Sequence, residues 1–362
     1  MSSEKSPNLL EDVRRVMRLK HYSLHTERSY CDWVKQFVKF HRMTERRALF
    51  DDSEAKIEAF LSYLATQRNV AAATQNQAMN ALLFLYKQVL DMPLTQRIEA
   101  IRSKTHRHIP VVLSVDEVKQ VLARLEGVPQ LVVKLLYGSG LRISEAVRLR
   151  VQDIDFGYKQ ITVRSGKGDK DRVTTFAVSL APLLLNHLDK VKAIHGKDLA
   201  EGYGAVYLPY ALAKKYPNAE REWGWQYVFP ARSLSVDPLS GATRRHHIDQ
   251  SLINKAIRAA VRQADIVKRV SAHTFRHSFA THLLQRGTDI RTIQALLGHN
   301  DLETTMIYTH VLNQGGQGVV SPLDDLGGKR LIDQFPAPEQ AGYALDEVQL
   351  PNTSSTNPAS LR

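Results

Sequence analysis

Cysteine is almost absent from this chain of 362 residues, and the single one, Cys31, excludes an internal disulfide framework and fits a reducing compartment. Long apolar runs are missing too. No stretch approaches the length of a membrane span, and Met1 to Pro7 holds no apolar signal core, so a soluble, cytoplasmic protein is expected. The glycine-flanked Lys167 lacks the Gly-Lys-Ser/Thr ending of a nucleotide-binding loop, which argues against ATP as a ligand. His273 and His277 stand at the i, i+4 spacing of a helical metal pair, but Thr274 occupies the place where a zinc hydrolase has glutamate. Neither Asp nor Glu occurs between His273 and Asp289, so no metal and no cofactor is expected.

Acidic residues are also in short supply. Lys and Arg exceed Asp and Glu by 12, and because residues 331–362 are acidic, the chain before them carries net +15. Such an excess points to a polyanionic partner, nucleic acid before membrane. A basic solvated surface gives the same count, so motifs must decide.

The first hundred residues show helical periodicity four times: Leu9 to Met17, Tyr30 to Phe40, Ile57 to Leu64, and Met79 to Val89, with Pro93 as a stop. A small helical bundle over 1–101 is the reading. Residues 102–111 are polar and basic, a linker in which Lys104 and Arg107 suit a phosphate backbone. A second domain then opens on Ser114 to Glu117, a capping box, with Leu113 and Val118 as a hydrophobic staple. A glycine turn, Gly138-Ser139-Gly140, delivers Arg142 where backbone can approach a ligand, although pairing of Arg142 with Glu145 is the structural alternative. Residues 160–164 and 172–176 alternate as a hairpin with Lys167 at its tip.

Residues 203–229 hold eight of the 27 aromatics, among them Trp223 and Trp225, and cations follow at Arg244-Arg245-His246-His247. A satellite core would explain the cluster. So would stacking against unpaired bases, which needs flat faces beside positive charge.

The densest chemistry lies between Ser271 and His310. Phe275, Phe279, Leu283 and Leu284 define one helix closed by Gly287, and His273 and Arg276 project from its N-terminal end, where an anion is favoured. A second helix from Asp289 to Leu297 hands His299 to a loop, and Tyr308 is expected on a third helix. Phosphodiester cleavage needs cations at the non-bridging oxygens, a nucleophile, and an acid for the leaving oxygen. Arg142, Arg276 and His299 can supply the first, Tyr308 with help from His273 the second, and Lys167 the third. His277, His282 and His310 are read as structural or supporting.

Gly138 to Glu145, Gly166-Lys167-Gly168, His273-Thr274-Phe275-Arg276-His277, Leu296 to His299 and Ile307 to His310 together resemble the tyrosine recombinases, in order, over residues 10–330. Within that family the chain is most similar to integron integrases, which carry an extra segment here matched by residues 198–226. The resemblance implies a mainly α fold with a small β-sheet: a two-domain C-shaped DNA clamp of a helical core-binding domain and a mixed α+β catalytic domain over 112–330. It implies a catalytic set of Arg142, Lys167, His273, Arg276 and His299, with Tyr308 joined to a DNA 3′-phosphate. It also implies recombination of gene cassettes by a homotetramer on two DNA sites in the bacterial nucleoid, double-stranded or folded from one strand. Trp223 and Trp225 in that segment, and Arg244, Arg245, His246 and His247 after it, are the expected DNA contacts of this region. A chromosome-dimer or phage recombinase is the nearer alternative, and an inert architectural DNA-binding protein the more distant one. The tail, 331–362, is expected to be disordered.

Overall fold

The computed structural model describes residues 8–92, 94–95, 97–104, 110–164, 171–208, 210–238 and 240–309. Arg107, the hairpin tip with Lys167, His310 and the tail lie outside them. The chain separates into two compact units that meet in sequence between residues 108 and 109.

The first unit is built from α1 (Leu9–Leu19), α2 (Leu24–Phe40), α3 (Ser53–Thr66) and α4 (Ala72–Phe84), and a π turn over Leu85–Val89 prolongs α4. Asn8 and Ser23 cap the first two helices by accepting Leu10 and Thr26 N–H groups. Val13, Met17, Val34, Phe37, Ile57, Phe60, Leu61, Leu64 and Leu82 form its core, all 1% exposed or less, as helical periodicity requires. Buried Tyr86 satisfies its hydroxyl on the Leu49 carbonyl. Gln75, also buried, donates to the Leu61 and Ile101 carbonyls and accepts from Ser103 N–H. Ser103, inside the stretch 102–111 that reads from composition as a linker, is therefore tied back to the bundle by one amide, as is Ile101 before it, and Lys104 beyond them is exposed.

The second unit contains α5 (Val115–Ala123), α6 (Gly127–Ser139), α7 (Ile143–Arg148), β1 (Ile154–Asp155), β2 (Gln160–Val163), β3 (Arg172–Thr175), α8 (Ala181–Ala200), α9 (Tyr210–Lys215), β4 (Ser235–Val236), β5 (Thr243–Arg244), α10 (Gln250–Gln263), α11 (Ala272–Gln285), α12 (Ile290–Leu297) and α13 (Glu303–Met306). The capping box at Ser114 and Glu117 is present, with both reciprocal hydrogen bonds. α6 is apolar nearly all round and packs against α11, α10, α5 and α7. β1, β2 and β3 form an antiparallel sheet in that order, with Ile161 opposite Thr174 and Val163 opposite Arg172.

Two glycines let α6, α11 and α12 converge. Gly140, in the left-handed region at φ +64°, lies so close to the Phe279 ring that a Cβ would sit 2.5 Å from it. Gly298, at φ +63°, ends α12 and would place a Cβ 2.7 Å from the Arg172 side chain. Tyr308 differs from expectation: α13 ends at Met306, and Tyr308 follows in a turn held by its N–H to the Thr305 carbonyl. Four residues are too short a helix to run further without packing, and here the apolar group of Phe279, Ala280, Leu284, Ile293 and Leu297 takes the tyrosine ring instead.

Candidate active site

Arg142 at the N-cap of α7, Arg172 of β3 and Arg276 of α11 surround one carboxylate, Glu145. Its Oε1 accepts from Arg142 Nη1 at 2.7 Å and Arg172 Nη1 at 2.9 Å. Its Oε2 accepts from the Arg142 backbone N–H and Arg172 Nη2, both at 2.7 Å, and lies 3.8 Å from Arg276 Nη1. Burial alone would raise the Glu145 pKa, but the Arg172 hydrogen bonds and charge, and then Arg142, overcome it and hold the carboxyl at about 2. The pairing of Arg142 with Glu145 is therefore real, yet three guanidiniums on one carboxylate leave an excess of two positive charges for an anion.

Arg276 is 3% exposed, and its direction is fixed by backbone. Nη1 donates to the Gly140 carbonyl and Nη2 to the Leu297 carbonyl, each at 2.6 Å, and Nη2 also reaches His299 Nε2 at 3.2 Å. Since the arginine can only donate, Nε2 of His299 is the acceptor, and Nδ1 carries the proton toward Thr305 Oγ1 at 3.0 Å. Burial, then the charges of Arg276 and Arg142, lower the His299 pKa to about 4. In this state His299 is a neutral acceptor, not the phosphate donor expected from the sequence. An anion beside the arginines would favour its protonation and turn it into one.

Tyr308 is 1% exposed, and its Oη lies 2.9 Å from His277 Nδ1. Its ring lies nearly parallel to that of His299, with centroids 6.5 Å apart. Burial raises the phenol pKa to about 12, against the pull of Arg276 and Arg142. His273 is exposed at the first turn of α11 and has no hydrogen-bond partner among the described residues. Arg142, Arg276, His299 and Tyr308 are thus brought together, and Lys167 is outside the described residues. Arg172 and Glu145 were missed as site residues. Arg172 reads in the sequence only as the start of a strand, while its Nε also donates to the Leu296 carbonyl, anchoring the turn that presents His299.

The inserted segment packs around Tyr227, which follows it directly. Val206, Leu208, Ala219 and Tyr227 form a satellite core on which Trp225 packs, and Trp223 instead faces the main core and stacks on His195. Arg150 lies 4.7 Å over the Tyr227 ring and donates to the Tyr207 and Trp225 carbonyls. Arg245 is committed to Asp198 and to the carbonyls of Ala231 and Arg232, and Arg244 to Asp237 and Glu220. The structure thus gives both of these arginines and Trp223 internal tasks that clustering in sequence did not suggest. His246 remains exposed, its ring 4.0 Å from that of His247 and set edge-on to Tyr227. His247 donates Nδ1–H to the Ile248 carbonyl, and burial lowers its pKa to about 4.

Comparison with known proteins places this arrangement. The model of the phage integrase family matches residues 111–314, and that of the phage integrase N-terminal SAM-like domain matches residues 9–96. The chain belongs to the phage integrase family. An Escherichia coli protein named integrase/recombinase is 49% identical over 324 residues, covering 89% of this chain and 95% of its own. The tyrosine recombinase XerD of Agrobacterium fabrum is 33% identical, over 76% of this chain and 81% of its own. Among solved structures, the XerH site-specific recombinase in its post-cleavage complex with a palindromic difH substrate shares the fold, with a TM-score of 0.55 at 20% identity over 89% of this chain and 85% of that one. The chain is accordingly a site-specific tyrosine recombinase, an enzyme of DNA strand cleavage and religation. Among the described residues, no helix is long and apolar enough to cross a membrane.

Proposed function

We propose that this recombinase integrates and excises integron gene cassettes, acting on double-stranded attachment sites and on sites folded from one DNA strand, as a homotetramer spanning two sites. In this reading the DNA phosphate sits against Arg142 and Arg276, with Lys167, His273 and His299 around it. Tyr308 attacks the phosphorus and becomes linked to the 3′-phosphate, while Lys167 protonates the departing 5′ oxygen. The observation that carries the cassette reading is the exposed His246 ring packed against His247 and edge-on to Tyr227, beyond the end of the inserted segment. Neutral flat rings held rigidly beside Arg150 suit a base that protrudes from a folded strand.

The histidine pair is a cleaner probe than Trp225, whose ring belongs to the satellite core. A His246→Ala, His247→Ala double variant is expected to lose about 1 to 3 kcal/mol of affinity per stacked base for a hairpin site, and none for a fully paired duplex. Trp225→Ala is expected to show the same selective loss together with a lower melting temperature. Binding isotherms on both substrates at one salt concentration check this, since the phosphate contribution is common to both. Equal losses on hairpin and duplex would remove the support for cassette sites and favour a Xer-type or phage-type recombinase.

The guanidiniums supply the charge stabilisation and a phosphotyrosine conserves the energy of the broken bond, so cleavage and rejoining are expected to proceed in excess EDTA without ATP. Loss of both on chelation, restored by magnesium or zinc, would count against this division of labour.

A further inference from the structure

The nucleophile assigned above needs somewhere to send its proton, and the two histidines on α11 differ sharply in what they can do. His273 and His277 lie one turn apart on the same helix face. His273 is exposed, with no hydrogen-bond partner among the described residues, whereas His277 Nδ1 lies 2.9 Å from Tyr308 Oη, with the rings 5.6 Å apart and tilted. The phenol is buried, and His277 is its only side-chain hydrogen-bond partner among the described residues. A buried hydroxyl donates where it can, so the network assigns the phenol proton to Nδ1 as acceptor and the ring proton of His277 to Nε2.

We propose that His277 is a further catalytic residue, which holds the Tyr308 phenol by this hydrogen bond and accepts its proton as Oη attacks the phosphorus. The Oη–P bond forms, the P–O5′ bond breaks, the phenol proton moves to Nδ1, and O5′ leaves with a proton from the leaving-group side. Religation is the reverse, with His277 returning the proton to the phenolic oxygen.

Electrostatics explains why transfer waits for DNA. Burial, then the charge of His273 and of Arg276, lowers the His277 pKa to about 4, while the phenol stands at about 12. A gap that wide keeps the proton on oxygen in the free protein, so the phenol is not a free phenolate. A phosphodiester docked against Arg142 and Arg276 offsets their charge and raises the proton affinity of the imidazole. At the same moment the forming Oη–P bond makes the phenol proton far more acidic. The base is therefore switched on by the substrate's own charge.

This inference rests on Tyr308 being the nucleophile, and one experiment separates the two. Covalent adduct formation is timed on a nicked site DNA with the ordinary 5′ oxygen at the scissile bond, and on the same DNA with a bridging 5′ sulfur, which leaves without protonation. The unsubstituted protein and Tyr308→Phe serve as controls. An adduct from the former and none from the latter establishes the nucleophile independently of His277. His277→Asn puts an amide near the place of Nδ1 that can accept a hydrogen bond but not a proton. It is expected to slow adduct formation by about 10² to 10³-fold on both substrates, with DNA binding unchanged. A rate within threefold of the unsubstituted protein would overturn the proposal, as would a slow oxygen substrate restored by sulfur, which would move His277 to the leaving group. His277→Ala, measured alongside, removes the proton acceptor altogether and provides the same test if the Asn variant fails to bind DNA.

Discussion

Tyr308→Phe is expected to form no covalent adduct with site DNA on a denaturing gel, while the unsubstituted protein forms one. The substitution removes one oxygen. The ring keeps its place against Phe279, Leu284, Ile293 and Leu297, so packing is preserved, and the lost hydrogen bond to His277 costs about 1 kcal/mol. Melting temperature and DNA affinity should therefore stay close to those of the parent while chemistry disappears, because no other described side chain is placed to replace the phenol beside Arg276 and His299. An adduct of equal yield from the Phe variant would put the nucleophile elsewhere in the chain and remove the basis for every role assigned around it.

The second large effect is structural and centres on Glu145. Replacing it by Gln retains the volume but leaves Arg142, Arg172 and Arg276 facing one another without a carboxylate. Breaking a buried ion pair from one side costs about 3 to 5 kcal/mol, which for a unit of this size lowers the melting temperature by about 10 °C. The pH dependence gives the same quantity another way. Glu145 is held at about 2, against an ordinary value of 4.5, so its contribution, about 3 kcal/mol, is fully present above the unfolded value. It is lost as pH falls from about 5 toward 2, because the unfolded chain takes up the proton first. Thermal or urea unfolding measured across that range should show the parent losing its advantage over Glu145→Gln as acid is added. A variant as stable as the parent at pH 7 would mean that the arginines do not depend on this carboxylate. Duplex-site cleavage should fall with it, since Arg142 and Arg172 lose the group that orients them.

Much of this was legible along the chain. Period-3.6 apolar spacing located α1, α2, α3 and α11 because a helix face is a local property of side-chain direction, and it needs no knowledge of what packs there. Ser114 and Glu117 announced a helix start because a capping box closes within four residues. The motifs that hold Arg142, Lys167, His273, Arg276, His299 and Tyr308 pointed to the recombinase family, to which the match over residues 111–314 shows the chain belongs. The end of α13 was not legible, because Tyr308 prefers an apolar niche formed by α11 and α12 to another turn of a marginal helix.

Sequence by itself therefore determined the helices, the basic character and the family of reaction, all of which follow from residue type and short-range spacing. Only the tertiary structure decided who holds whom. Arg276 is aimed by the carbonyl of Gly140, 136 residues away, Arg172 is joined to Glu145 across 27 residues, and His277 meets Tyr308 across 31. Arg245 is joined to Asp198 across 47 residues. A guanidinium, an imidazole or a phenol can satisfy its hydrogen bonds with many partners, and spacing along the chain says only which way each points. The choice among partners is made by the close approach of α6, α11 and α12 at Gly140 and Gly298, which long-range packing alone creates.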